Sequence, residues 1–238
     1  ASALDRLRLF GVPLVDGARQ PLSVAFVKMR LARTGDDPND GPDPNDGPDP
    51  EEMDARLLLE GQRSQRAPEI LSVAEAFSRS RRLVVAAPAG LGKTTLLRWA
   101  AVQMARHNLD GEFPLWQNRL PFFLQLRDYS QKPLPAIADL PLAYRGDGME
   151  LLAGSAPEGW AREQLRGGGA AIFVDGLDEI NEAKRQEAVE WVEKLLAMAP
   201  ETLFVLSGRP AALDRESSQP ELRRLGFDFV ALQPLDDE

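Results

Sequence analysis

Along the chain, short apolar runs alternate with longer stretches in which apolar residues return every three or four positions. Leu83-Val84-Val85-Ala86, Ala171-Ile172-Phe173-Val174 and Leu203-Phe204-Val205-Leu206 are runs of the first kind, and Pro121 to Leu126 and Phe227 to Leu232 extend the set. Near-continuous apolar runs of this length, bounded by charged or turn residues, predict buried parallel strands. Between them, Leu96, Ala100 and Met104 lie in one row with Leu97 and Ala101 beside it. Ala188, Trp191, Val192, Leu195 and Met198 form a stripe over 183–198. Both are helical spacings. Ile70 to Arg79 also reads as a helix leading into the strand at Leu83, and Glu51 to Arg66 is helix-like in places. Strands alternating with helices predict an α/β fold built on a doubly wound parallel sheet.

The N-terminal part breaks this rhythm. L-R-L-F-G-V-P-L at 7–14 and L-S-V-A-F-V-K-M-R-L at 22–31 read as two short strands joined around Asp16-Gly17. D-P-N-D-G-P then occurs at 37–42 and again at 43–48. So much Pro, acid and glycine can neither bury apolar area nor pair as strand, which predicts a mobile acidic linker over 33–54. Its Asp/Asn spacing superficially suits calcium, yet no bidentate Glu follows at the EF-hand offset. The organisation expected is an N-terminal β-containing extension over 1–32, the linker, and a core over 55–238.

Chemistry enters between the strand at Leu83 and the helix that follows it. Ala87, Pro88, Ala89, Gly90, Leu91, Gly92, Lys93, Thr94 and Thr95 form a glycine-rich turn running into a helix N-terminus. Such a turn cradles phosphate: backbone N–H groups converge, the helix dipole favours negative charge, and Lys93 adds a formal cation. The Thr94 hydroxyl is placed to reach a Mg²⁺ ion held between two phosphates. Without nucleotide, Lys93 is expected to face solvent. The strict pattern opens with glycine, where this chain has Ala87.

Two further strand ends carry charge. The run Ala171 to Val174 ends in Asp175-Gly176-Leu177-Asp178-Glu179. A carboxylate at the tip of a buried strand needs a cation partner, so Asp175 is assigned to Mg²⁺. Asp178 or Glu179 on the turn can orient and deprotonate an attacking water. Leu203 to Leu206 leads into Ser207-Gly208-Arg209-Pro210, which sets Arg209 where a guanidinium can reach a terminal phosphate. Arg127 and Asp128, after the strand at Pro121, read equally as site residues or as a structural ion pair. Trp99, Trp116 and Trp160 read as packing residues.

Composition narrows the classes. The 238 residues are 43% hydrophobic, enough for one sizeable core, and no cysteine is present, which excludes disulfides and cysteine-ligated metal sites. No apolar run approaches the roughly 18 residues that span a bilayer, and no signal-peptide pattern opens the chain; a cytoplasmic protein is expected. A net charge of −9 argues against a broad nucleic-acid face. Arg79, Arg81 and Arg82 are read as a solvated helix end. Beginning at Ala1, the chain reads as an excised part of a longer protein.

Together these residues resemble the NACHT family of STAND-type P-loop ATPases, switch modules of innate-immunity receptors and their bacterial relatives. The resemblance is carried by A-P-A-G-L-G-K-T-T-L-L-R at 87–98, F-F-L-Q-L-R-D at 122–128, L-R-G-G-G-A-A-I-F-V-D-G-L-D-E at 165–179 and L-S-G-R-P at 206–210. The small Gly176 after Asp175, with the acidic pair displaced to Asp178-Glu179, is its telling feature. The resemblance implies strand order 5-1-4-3-2, with the Arg209 strand between the P-loop and Asp175 strands, and ATP/ADP with Mg²⁺ as ligands. It also implies C-terminal helical and winged-helix regions, and oligomerisation of the full-length protein on activation. In this family the winged-helix region supplies a histidine to the nucleotide. The single His here, His107, lies at the far end of the P-loop helix and cannot be that residue. A slowly hydrolysing ATP switch is the reading these features favour. A conventional P-loop kinase or motor and a nucleotide-independent scaffold are the alternatives.

Overall fold

The computed structural model describes residues 29–33, 69–109, 113–142, 157–213 and 218–233. The Pro/Gly-rich repeat, the first expected strand at 7–14 and the segment 51–66 lie outside them. Among the described residues there is one seven-stranded sheet, in the order β2-β1-β7-β3-β6-β5-β4. The strands are β1 (Arg30–Arg33), β2 (Glu69–Ser72), β3 (Arg82–Ala86), β4 (Leu120–Gln125), β5 (Ala170–Asp175), β6 (Leu203–Gly208) and β7 (Asp228–Leu232).

The five strands from β7 to β4 pair in parallel. All six residues of β5 and of β6 are buried, as strands covered on both faces must be. Alternation divides the core between the two faces. On one face, Leu83, Phe173 and Val205 pack with Phe77 of α1 (Val73–Arg79) and Leu96, Leu97 and Met104 of α2 (Lys93–Ala105). On the other, Ile172, Phe204 and Leu206 pack with Leu165 of α3 (Trp160–Arg166), Val192 and Leu195 of α4 (Glu182–Met198), and Leu222 of α5 (Gln219–Arg224). Trp116 is fully buried and its indole donates 2.6 Å to the Phe77 carbonyl; Trp99 packs against Phe113 and Trp160 against Phe122.

Two parts of the sheet depart from the sequence reading. The helix expected over Ile70 to Arg79 begins only at Val73, because 69–72 pair with β1 as an edge strand. Ser72 and Glu75 then close a reciprocal capping box that sets the helix start. The β1 strand is antiparallel to both β2 and β7, so the end of the expected N-terminal extension is built into the main sheet. Arg79 pairs with Glu69 at 2.5 Å, Arg81 pairs with Glu201, and Arg82 donates to the Leu225 and Pro200 carbonyls. These arginines tie the entry side of the sheet together, while Arg79, the last residue of α1, and Arg81 stay about half exposed.

Candidate functional site

The residues singled out for chemistry come together at the carboxyl ends of β3, β5 and β6, on the edge of an open sheet where ligands bind. After β3, the Ala87 N–H donates 3.2 Å to the Gly208 carbonyl, which fastens the loop to the neighbouring strand end. Gly90 and Gly92 then take φ of 83° and 89°, a left-handed backbone that strains other residues, and α2 begins at Lys93. No side chain caps α2, so its first-turn N–H groups are left facing the loop. Ala87 is buried and lies outside the left-handed region, so its methyl replaces glycine without backbone strain.

Lys93 does not extend into solvent. Its ammonium donates to the carbonyls of Ala87 at 2.7 Å and Pro88 at 3.0 Å, crossing the mouth of the loop. Lone-pair oxygens within reach outcompete water for a half-buried cation. Burial pulls the Lys93 pKa down, as does the Arg209 charge, against the opposing pull of Asp178, Asp175 and Glu179.

Asp175 is 5% exposed and is held by two hydroxyls. Thr94 Oγ1 donates to its Oδ1 at 3.1 Å, and Ser207 Oγ donates to the same oxygen at 2.6 Å. Ser207 also accepts the Gly176 N–H at 3.1 Å, locking strand β6 to the acidic turn. Sequence reasoning passed over Ser207. Its signal was a hydroxyl closing an otherwise apolar buried run.

Gly176 has φ of 89°, and a Cβ there would come 3.0 Å from the Glu179 side chain. The turn Leu177–Glu179 then separates its two acids. Asp178 Oδ2 lies 2.7 Å from Arg209 Nε, an ion pair whose arginine stays more than half exposed. Glu179 folds back toward Gly176. Burial of its carboxyl, then the Asp175 charge, pushes its pKa up; Asp178 adds to the rise, while Arg127 and Lys93 oppose it. Arg127 also lies 3.9 Å from Asp128. The far end of α2 holds a separate cavity of about 220 Å³ lined by His107, Met104 and Trp116, roughly 20 Å from the loop.

Set against known protein families, residues 81–238 match the NACHT domain. The chain belongs to the NACHT family. It is accordingly a nucleotide-binding P-loop NTPase. No curated protein matches the chain. The NACHT match opens at Arg81, one residue before β3, and so spans every charged group of the site. It leaves out β1, β2 and α1, although β1 pairs directly with the last NACHT strand, β7.

Proposed function

We propose that this NACHT domain binds ATP with Mg²⁺ and hydrolyses it slowly, acting as the nucleotide-operated switch of a signalling or defence protein. The observation that carries the reading is the convergence of Lys93, Thr94, Asp175, Glu179 and Arg209 on one strand-end site. The metal fits the donors present. Thr94 and Asp175 offer a hydroxyl and a carboxylate 3.1 Å apart, hard oxygens of the kind Mg²⁺ takes alongside water and phosphate. When bound, the ion supplies positive charge that neutralises the phosphate oxygens.

The protein's own part follows from the geometry. The uncapped N–H groups of α2 and the left-handed loop hold the phosphates. Lys93 exchanges the Ala87 and Pro88 carbonyls for phosphate oxygens, which are better partners for an ammonium. Glu179, with its pKa raised, is the general base that takes the proton of the attacking water. Asp178 orients Arg209 through Nε, leaving the terminal nitrogens of the guanidinium for the γ-phosphate. Slow turnover is expected because a further arginine from a partner is worth orders of magnitude in such reactions. The switch reading carries with it a cytoplasmic location, control by C-terminal helical and winged-helix regions, and oligomerisation on activation. No described helix is long and apolar enough to cross a membrane, which is compatible with that reading.

Calorimetric titration with Mg-ATP tests the core of this proposal. Lys93→Ala is expected to weaken binding by roughly a hundredfold, the loss of charge-assisted contacts, while the fold melts within a degree or two of wild type. Equal affinity in a folded variant would remove the cradle assignment. Steady-state turnover separates the switch from a conventional kinase or motor: rates well below about 1 s⁻¹ are expected.

A further inference from the structure

Gln125 is the last residue of β4, in register with Asp175 of β5. Phe123 and Phe173, two residues earlier on each strand, pack on the α2 side of the sheet, as do Leu203 and Val205 of β6. Alternation puts Gln125, Asp175 and Ser207 on that same side, in one row across three strand tips. Gln125 is only 8% exposed. Its Oε1 accepts from Arg127 Nη2 at 3.2 Å. Because a guanidinium has donors only, that bond determines which end of the amide is which. The amide nitrogen is buried and has no hydrogen-bond partner among the described residues. Both hydroxyls that hold Asp175 bind its Oδ1, and neither involves Gln125.

A buried amide nitrogen with its donors unspent disfavours the nucleotide-free state, and a leucine would fill the position without that penalty. Beside a carboxylate assigned to a metal, such donors match acceptor oxygens that arrive with a ligand. We propose that Gln125 is a further residue of the nucleotide site, its amide NH₂ donating to the oxygen shell of the terminal phosphate. Arg127 is a positioning residue that acts through it by holding the amide oxygen. The inference rests on the ATP reading above and deepens it, since it names a group that distinguishes ATP from ADP.

The test compares Mg-ADP with a Mg-bound non-hydrolysable ATP analogue by calorimetry, on wild type, Gln125→Leu, Arg127→Ala and the double variant. Gln125→Leu should bind ADP within about twofold of wild type and the analogue about tenfold more weakly, the loss of one hydrogen bond to a charged group. Arg127→Ala, at an exposed position, should lose part of the same discrimination, and the double variant should be no worse than Gln125→Leu. If wild type discriminates and Gln125→Leu does so equally well, this inference is overturned and the ATP reading stands. Equal weakening toward both nucleotides would reduce Gln125 to a packing residue. A wild-type protein that binds neither nucleotide overturns both. Should Gln125→Leu fail to fold, Arg127→Ala decides alone, and an unchanged preference for the analogue rejects the proposal.

Discussion

Ser207 near the end of β6 and Glu179 on the acidic turn affect stability in opposite directions. Ser207 donates to a buried carboxylate, so Ser207→Ala removes a charge-assisted bond and leaves Asp175 with Thr94 alone. Chemical denaturation should show a loss of about 1.5–3 kcal/mol, with part of it restored by Mg-nucleotide, which gives Asp175 a new partner. Glu179 works the other way. Its folded-state pKa is raised, so the folded protein holds that proton more tightly than the unfolded chain does. Stability is therefore undiminished at pH values below the ordinary carboxylate range and is lost as pH rises through the folded pKa. Glu179→Gln removes that loss. The nucleotide-free variant should melt slightly above wild type at neutral pH, with the difference vanishing toward about pH 4, while hydrolysis falls and binding persists. Melting curves across pH, paired with a phosphate-release assay, check both halves. A wild-type melting advantage at neutral pH would contradict the sign of the shift.

At the scale of elements, the acidic turn and the P-loop are the two places where backbone conformation does the positioning. Gly176 sits at φ 89° with the Glu179 side chain 3.0 Å from where a methyl would project. Gly176→Ala meets both strain and that side chain, and a cost of about 1–2 kcal/mol is expected from the left-handed backbone alone. Since Glu179 must move aside, phosphate release should drop more than Mg-ATP affinity; the reverse order would separate the turn from the chemistry. The loop glycines, the α2 stripe and the acidic turn were legible in the sequence because each is set by neighbours within a few residues. The start of α1 departs from the apolar spacing over Ile70 to Arg79, although the capping signal Ser72-Val73-Ala74-Glu75 marks it. Residues 69–72 are extended because β1 supplies their hydrogen bonds, and β1 lies far away along the chain.

For the whole molecule, β1 matters beyond its four residues. Leu31 is fully buried, and Met29 reaches the P-loop: its methyl lies 3.4 Å from where a Cβ on Gly92 would sit. Leu31→Ala should cost about 2–5 kcal/mol in urea denaturation and weaken Mg-ATP binding as the floor of the loop loosens. Stability unaffected by this change would mean that β1 is dispensable to the sheet. Deleting Asp37 to Pro48, outside the described residues, shortens the β1–β2 connection by roughly a third. The closure entropy changes by under ~0.5 kcal/mol, so melting temperature and nucleotide affinity should hold. By itself the sequence determined the α/β class, the phosphate loop and the strand-end acids. Apolar runs, helical spacing and glycine-rich turns express local sterics and burial, and these can be read from contiguous residues. β6 lies between β3 and β5, and only the tertiary structure decided the contacts made there, Ser207 to Asp175 and Arg209 to Asp178. It alone set Gln125 beside Asp175 and β1 beneath the loop, because strand partners are chosen by long-range pairing that leaves no mark on local periodicity.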